Sequence, residues 1–278
     1  MSEPNAAQAL NWNETTGPVW AEVHEPLDRQ LAPLGRAAMA ALSPHLGERI
    51  LDIGCGAGES SLQLARAVGP TGRVLGVDFS HPLLEVARRR AAGSTGISFE
   101  ECDAQTYAFP PAGFDAVFSR FGVMFFSDPP AAFANIRGAL KSGGRLAFVC
   151  WRTPAENPVM VLPMMVATPL LPQPPAVPVP GAPGPYAFAD AEHVRRILEA
   201  AGFTDIAIAP HDEMIGSGRL DVALDLALRI GPLGTILREN PDLTPQVASA
   251  VRAALEPHDG LDGVKLAAAT WIVTARAP

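Results

Sequence analysis

Cysteine is scarce in this chain: the three present, Cys55, Cys102 and Cys150, are odd in number, far apart, and show neither CxxC nor metal-ligand spacing. That pattern excludes a disulfide framework and leaves them as small buried residues of a reducing compartment. Positive charge is also short, with 21 lysines and arginines against 29 acids and a formal net charge of −8. Nucleic-acid binding needs a clustered basic face, so no nucleic-acid partner is expected. The one basic run, Arg88-Arg89-Arg90, falls at the end of a predicted helix, where cations complement the helix dipole. No apolar run suffices for a bilayer: Val159 to Leu171 is too short and carries Pro163 and Pro169. Met1-Ser2-Glu3-Pro4 lacks a basic region leading into an apolar stretch, so no secretory signal is visible. The expected location is the cytoplasm, without a membrane partner. No His, Cys or Asp/Glu cluster has metal spacing, and no metal is expected.

What is present is a regular alternation. Arg49 to Ile53, Val74 to Val77, Ile97 to Glu101, Ala116 to Ser119 and Arg145 to Cys150 read as strands. Glu59 to Val68, Pro82 to Ala92 and Pro130 to Leu140 carry apolar residues at helical spacing. Such alternation predicts right-handed βαβ units and a doubly wound α/β fold with a mostly parallel sheet. Ahead of this core, Trp12 to Leu46 reads as helix broken by Pro18, Pro26 and Pro33. Behind it, residues 151–190 hold eleven of the 28 prolines, a density that excludes regular helix and central strand and predicts a semi-rigid lid or linker. Helix is expected again at Ala191 to Ala201, Leu220 to Ile230 and Pro245 to Leu255, and strand at Phe203 to Ala209 and Leu266 to Ala275. The expected organisation is a helical lid (1–45), a cofactor-binding α/β core (46–150), the proline-rich lid (151–190), the rest of the core (191–214), a helical cap insertion (215–263) and a final strand (264–278).

The chemistry starts at Ile50-Leu51-Asp52-Ile53-Gly54-Cys55-Gly56-Ala57-Gly58-Glu59, a buried strand followed by three alternate glycines and a helix. Glycines let a ligand lie directly on the turn. A nicotinamide-type G-x-G-x-x-G would need glycine at position 59, where Glu59 stands, and a pyrophosphate would meet Asp52 and Glu59 as like charges. Those acids suit a cationic cofactor, and S-adenosylmethionine carries a sulfonium and an ammonium that Asp52 can favour.

Asp52-x-Gly54-x-Gly56-x-Gly58 resembles motif I of the class I S-adenosylmethionine-dependent methyltransferases, and the later motifs are similar to small-molecule enzymes of the ubiquinone and menaquinone biosynthesis type. The resemblance covers roughly residues 46–150 and implies a Rossmann-like methyltransferase fold with a seven-stranded sheet. It further implies that Asp78, ending the second strand, accepts the ribose hydroxyls, that Phe79 and Leu83 flank the adenine, and that Asp103 accepts the adenine amino group while the Ala104 N–H reads a ring nitrogen. A backbone carbonyl at Ser119 or Arg120 would hold the methionyl ammonium. Leu140-Lys141-Ser142-Gly143-Gly144 resembles the turn before the fifth strand, with Ser142 where the family usually has proline.

Methyl transfer is an in-line displacement, so aligning the acceptor and excluding water supply most of the catalysis, on the order of 7 to 11 kcal/mol. Aromatic faces near a sulfonium gain cation–π attraction, which makes Trp20 a cofactor candidate and Trp12 an acceptor-site candidate on a closing N-terminal lid. Phe121, Met124 and Phe125 are further acceptor-lining candidates. His24 or His211 could deprotonate an acceptor, but no catalytic base is assigned. The expected function is transfer of a methyl group to an O, N or C atom of a small, fairly apolar acceptor. The alternatives are an NAD(P)-dependent oxidoreductase and a non-catalytic binding protein of the same fold. The partner is the small acceptor molecule, and a homodimer is left open.

Overall fold

A computed structural model describes residues 5–173 and 181–278; the stretch 174–180 of the expected proline-rich lid lies outside them. The chain begins with α1 (Ala6–Leu10), a π-helical turn at Asn11–Thr15, α2 (Thr16–Glu22) and α3 (His24–Leu42). The core follows as β1 (Arg49–Ile53), α4 (Glu59–Val68), β2 (Arg73–Asp78), α5 (His81–Arg90), β3 (Ile97–Glu101), β4 (Phe114–Arg120), α6 (Pro129–Ala139) and β5 (Leu140–Trp151). Next come α7 (Pro158–Ala167), α8 (Ala191–Ala200), β6 (Thr204–Gly218), α9 (Leu220–Arg229), α10 (Gly231–Glu239), α11 (Thr244–Leu255), the two-residue β7 (Asp259–Gly260) and β8 (Gly263–Arg276).

The sheet runs in the order β3-β2-β1-β4-β5-β8-β6, with β7 hydrogen-bonded to β8. Strands β1 to β5 pair in parallel, whereas β8 is antiparallel to both β5 and β6. The mostly parallel doubly wound sheet is therefore present. The order reverses between β1 and β4, and the crevice outside their carboxyl ends is where open α/β sheets take ligands. β1 is buried everywhere but at Arg49, which is why it reads as an almost unbroken apolar run with Asp52 as the exception.

Four expectations need correction. Pro33 does not break the N-terminal helix: α3 runs through it, because Leu27, Leu31, Leu34, Ala38 and Leu42 form one buried stripe on the core. Burial of that stripe at ~25 cal/mol per Å² outweighs the ~3 kcal/mol of an internal proline. The proline-rich region likewise contains a helix, α7, with Pro158 in its first turn, where no N–H is needed, and Pro163 inside. The sixth strand continues past Ala209 to Gly218, held along its length by β8. α10 was not expected at all; Gly231 and Pro232 at its start read as a loop.

The helices behind the main sheet build a second hydrophobic centre. Ala167 of α7, Leu224 of α9, Leu233 and Leu237 of α10, and Val247, Val251 and Leu255 of α11 pack together with Val264 and Leu266 at the base of β8. Leu162, Met164, Val166, Leu170 and Leu171 of the proline-rich region thus belong to the cap, whereas Tyr186 and Phe188 pack in the main core. No described helix is long and apolar enough to cross a membrane.

Candidate functional site

The glycine loop leaves β1 at its carboxyl end. Gly54, Gly56 and Gly58 all have positive φ (66°, 52° and 83°), a conformation that glycine adopts without the Cβ penalty. At Gly54 the requirement is also steric: a Cβ there would lie 2.6 Å from Cα of Gly122, and one on Gly122 would lie 2.7 Å from both Gly54 Cα and the Ile53 carbonyl oxygen. The loops after β1 and β4 therefore touch backbone to backbone. Gly122, which was not singled out from the sequence, is a structural partner of the motif. Gly122→Ala is expected to destabilise the protein by about 1 to 3 kcal/mol through overpacking, read as a fall in Tm of several degrees by calorimetry.

Asp52 is fully buried, so it does not stand at the mouth of the loop. Its Oδ2 accepts hydrogen bonds from Ser60 Oγ (2.7 Å) and Ser61 Oγ (2.6 Å) at the start of α4, while Oδ1 is buried without a partner. Burial, only partly offset by the two serine hydroxyls, pushes its carboxyl up to about 6. Glu59 is not a free charge either: it pairs with Arg90 of α5, which also donates to the Ala57 carbonyl (2.9 Å) and to Asp28 of α3 (2.8 Å). Asp28 binds Arg120 at 2.7 Å as well. Of the two acids expected to repel a pyrophosphate, Glu59 is neutralised by Arg90, whereas Asp52 acts only as a field from beneath the loop; the absent glycine at 59 also counts against a dinucleotide. Arg90 does more than complement a helix dipole; it ties the glycine loop to the N-terminal helix, a partnership 62 residues long that no local pattern announces.

Asp78 closes β2 beside the loop. Its Oδ2 accepts the Gly56 N–H and its Oδ1 the Ser80 N–H, both at 2.9 Å. The carboxylate is thereby held in one orientation, with lone pairs left over for hydroxyl donors. Burial raises its pKa and the backbone N–H donors oppose this. One strand over, Asp103 accepts the Gln105 N–H at 2.9 Å, and the Asn5 amide nitrogen lies within hydrogen-bond distance of both its oxygens. Ala104 is buried and its carbonyl accepts from Asn135. Ser119 is buried, its Oγ donating to the Ile53 carbonyl at 2.8 Å.

The N-terminal segment roofs this end of the sheet. Trp12 and Trp20 meet edge to face at 5.0 Å, and Trp12 meets Phe125 in the same way at 5.5 Å. Both tryptophans pack on Ala57, Leu83 and Val86, so a loop residue and the expected adenine neighbour Leu83 share one apolar cluster with the lid. Asn13 clamps the turn after β2, donating to the Phe79 carbonyl and accepting from the His81 N–H, each at 2.8 Å. Ser80 Oγ donates to the Trp12 carbonyl.

The acceptor candidates separate. Phe121 has φ of 64° and stacks on Trp151 at 4.4 Å; a left-handed conformation in an aromatic residue is strained. Phe125 lies under the lid tryptophan, whereas Met124 is buried in the main core. His24 bonds the Ala21 carbonyl in the lid, and His211 lies within β6 with Nε2 buried and unpartnered. Among the described residues no group of His, Cys, Asp and Glu could hold a metal. A cleft of about 680 Å³ lined by Arg49, Arg73, Ile97 and Phe114 opens where the strands begin, away from the glycine loop.

An S-adenosyl cofactor fits these residues: one oxygen of a buried carboxylate has no donor, a second carboxylate is held in one orientation beside the glycine turn, and the lid brings aromatic rings to the same end of the sheet. Residues 50–144 match the model of the methyltransferase domain. The chain is 40% identical over 118 residues to aklanonic acid methyltransferase of a Streptomyces species, covering 42% of this chain and 54% of that protein. It is 32% identical over 177 residues to demethylmenaquinone methyltransferase of Deinococcus radiodurans, covering 60% and 73%. The chain spans about half the length of the first curated relatives it matches. Phosphoethanolamine N-methyltransferase 2 of Haemonchus contortus shares the fold, at TM-score 0.62 and 21% identity over 98% of this chain and 60% of that one. On the match across nearly three quarters of the Deinococcus protein, together with the methyltransferase-domain match at residues 50–144, this chain belongs to the class I S-adenosylmethionine-dependent methyltransferase family.

Proposed function

We propose that the protein transfers a methyl group from S-adenosylmethionine to an O, N or C atom of a small, fairly apolar acceptor. The observation that carries this is the Asp78 carboxylate, locked by the Gly56 and Ser80 amides beside a glycine turn whose Gly54 lies against the Gly122 backbone. In this reading Asp78 holds the ribose hydroxyls. Phe79 and Leu83 border the adenine, Asp103 and the Ala104 N–H read its edge, and the Ser119 or Arg120 carbonyl accepts from the methionyl ammonium. Asp52 lends negative charge from beneath, and Trp20 offers its face from the lid. When bound, the cofactor supplies an electrophilic methyl group on a sulfonium. The chain aligns the acceptor with it and keeps water out, through Trp12, Phe121 and Phe125 and the apolar cap, with Met124 packing behind them in the core.

The acidic net charge and three unpaired cysteines support a cytoplasmic protein without a nucleic-acid partner. Titration with S-adenosylhomocysteine in a calorimeter is expected to give saturable one-site binding, and its absence would defeat the proposal. Incubation with methyl-labelled cofactor and fractionated small molecules then identifies the acceptor; a protein that binds but labels no fraction is a binding protein.

A further inference from the structure

The latch between Asn5 and Asp103 joins residues 98 positions apart. Asn5 is buried, and its φ of 62° is a left-handed conformation that asparagine tolerates better than most residues. Its Nδ2 lies 3.1 and 2.9 Å from the two Asp103 oxygens and 3.3 Å from Gln105 Oε1, while its Oδ1 accepts the Ser127 N–H at 2.7 Å. Every polar atom of the side chain is used. Gln105 in turn accepts from Ser127 Oγ and the Asp128 N–H, so the pocket around Asp103 is a closed network.

The donor in that pocket is a planar NH₂ on an sp² carbon, the same donor as the exocyclic amine of adenine. A carboxylate offers a limited set of in-plane lone pairs. With the Gln105 N–H on Oδ1 and the Asn5 amide across both oxygens, Asn5 holds the position from which a second planar NH₂ would face the carboxylate, and one outer Oδ2 lone pair is left over. The inference rests on the cofactor reading above, in which Asp103 receives the adenine amino group. We infer that Asn5 is an internal stand-in for that amino group, so that adenine must displace the N-terminal segment from Asp103 to bind, and the segment reseats when the cofactor leaves.

The remaining latches explain why displacement at Asn5 need not shed the whole lid. Asn13 holds Phe79 and His81, and Trp12 holds Ser80, on the neighbouring turn. These contacts lie one strand away from Asp103 and do not use its oxygens. Asn5 thus sets a competition confined to the adenine end, which makes the segment a selectivity element: a ligand without an adenine amino group gains nothing by expelling it.

The test compares Asn5→Ala with the unaltered protein for two ligands, S-adenosylhomocysteine and S-ribosylhomocysteine, which lacks the base. Removing the internal competitor is expected to tighten S-adenosylhomocysteine at least threefold and to leave S-ribosylhomocysteine unchanged. Asn5→Asp, which sets a carboxylate against Asp103, should speed S-adenosylhomocysteine association further, read by stopped-flow tryptophan fluorescence from Trp12 and Trp20. An Asn5→Ala protein that binds S-adenosylhomocysteine equally or more weakly overturns the inference while leaving the cofactor reading intact. Equal tightening of both ligands overturns it too, since that marks general loosening of the lid. No binding by the unaltered protein removes the cofactor reading and this inference together.

Discussion

Asp78→Ala should weaken S-adenosylhomocysteine binding about a hundredfold, roughly 3 kcal/mol, while the protein stays folded. Two hydroxyl-to-carboxylate hydrogen bonds are worth about 1.5 kcal/mol or more each. The same carboxylate orients the Gly56 and Ser80 amides, so its removal also frees the glycine turn that the ligand lies on. Asp78→Asn divides the two contributions, because an amide keeps one acceptor and loses the charge; an intermediate loss is expected. Calorimetric titration at fixed ionic strength measures both variants. An Asp78→Ala protein with native thermal unfolding and unaltered affinity would show that the ribose lies elsewhere.

Asp52→Asn is expected to raise the stability of the ligand-free protein near neutral pH. The Asp52 carboxyl is raised from 3.8 to about 6 by burial, so the native state binds its proton more tightly than the unfolded chain does. Stability owed to this group is full below about pH 4, declines as the pH rises through 6, and is lost above it. A neutral asparagine keeps an acceptor for Ser60 and Ser61 and removes that decline. The ligand-free variant should therefore be more stable than the parent by about 1 to 2 kcal/mol at pH 7.5 and no more stable at pH 4. The full shift is not recovered, because the amide nitrogen inherits the position where Oδ1 has no partner. Denaturant unfolding at the two pH values checks this. Cofactor affinity should fall in the same variant, since a buried charge costly to the empty protein is the one a cationic ligand can offset. A variant less stable at pH 7.5 would show that Asp52 is already compensated.

The core was readable because its signals are local. Gly58 in the left-handed region starts α4 at Glu59, and the run from Arg49 to Ile53 ends at Gly54, so both bounds stand in the sequence itself. The carboxyl ends of β2 and β3 were marked by Asp78 and Asp103 for the same reason. Pro33 misled because tertiary packing of one leucine stripe overrode a local rule, and Pro158 and Pro163 misled because α7 buries apolar side chains in the cap. β6 outran its pattern because β8 supplies a partner as far as Gly218, whatever the side chains do. The candidate site was legible where it rests on motif residues and illegible where it rests on long-range pairs. Asn5 with Asp103, Asp28 with Arg90 and Arg120, and Gly54 with Gly122 are each joined across more than sixty positions, and nothing adjacent to either member hints at the other.

The contact between Gly54 and Gly122 also limits how such a protein can diversify. A side chain at either glycine would force the opposite backbone to shift, so a single replacement carries a stability cost that only a matching adjustment of the other loop relieves. In the N-terminal segment and the helical cap it is side chains that meet, as Trp12 and Trp20 meet Ala57, Leu83 and Val86. A change in the seam therefore disturbs two loops of the crevice floor at once, whereas a change in the roof disturbs only the neighbours of one side chain.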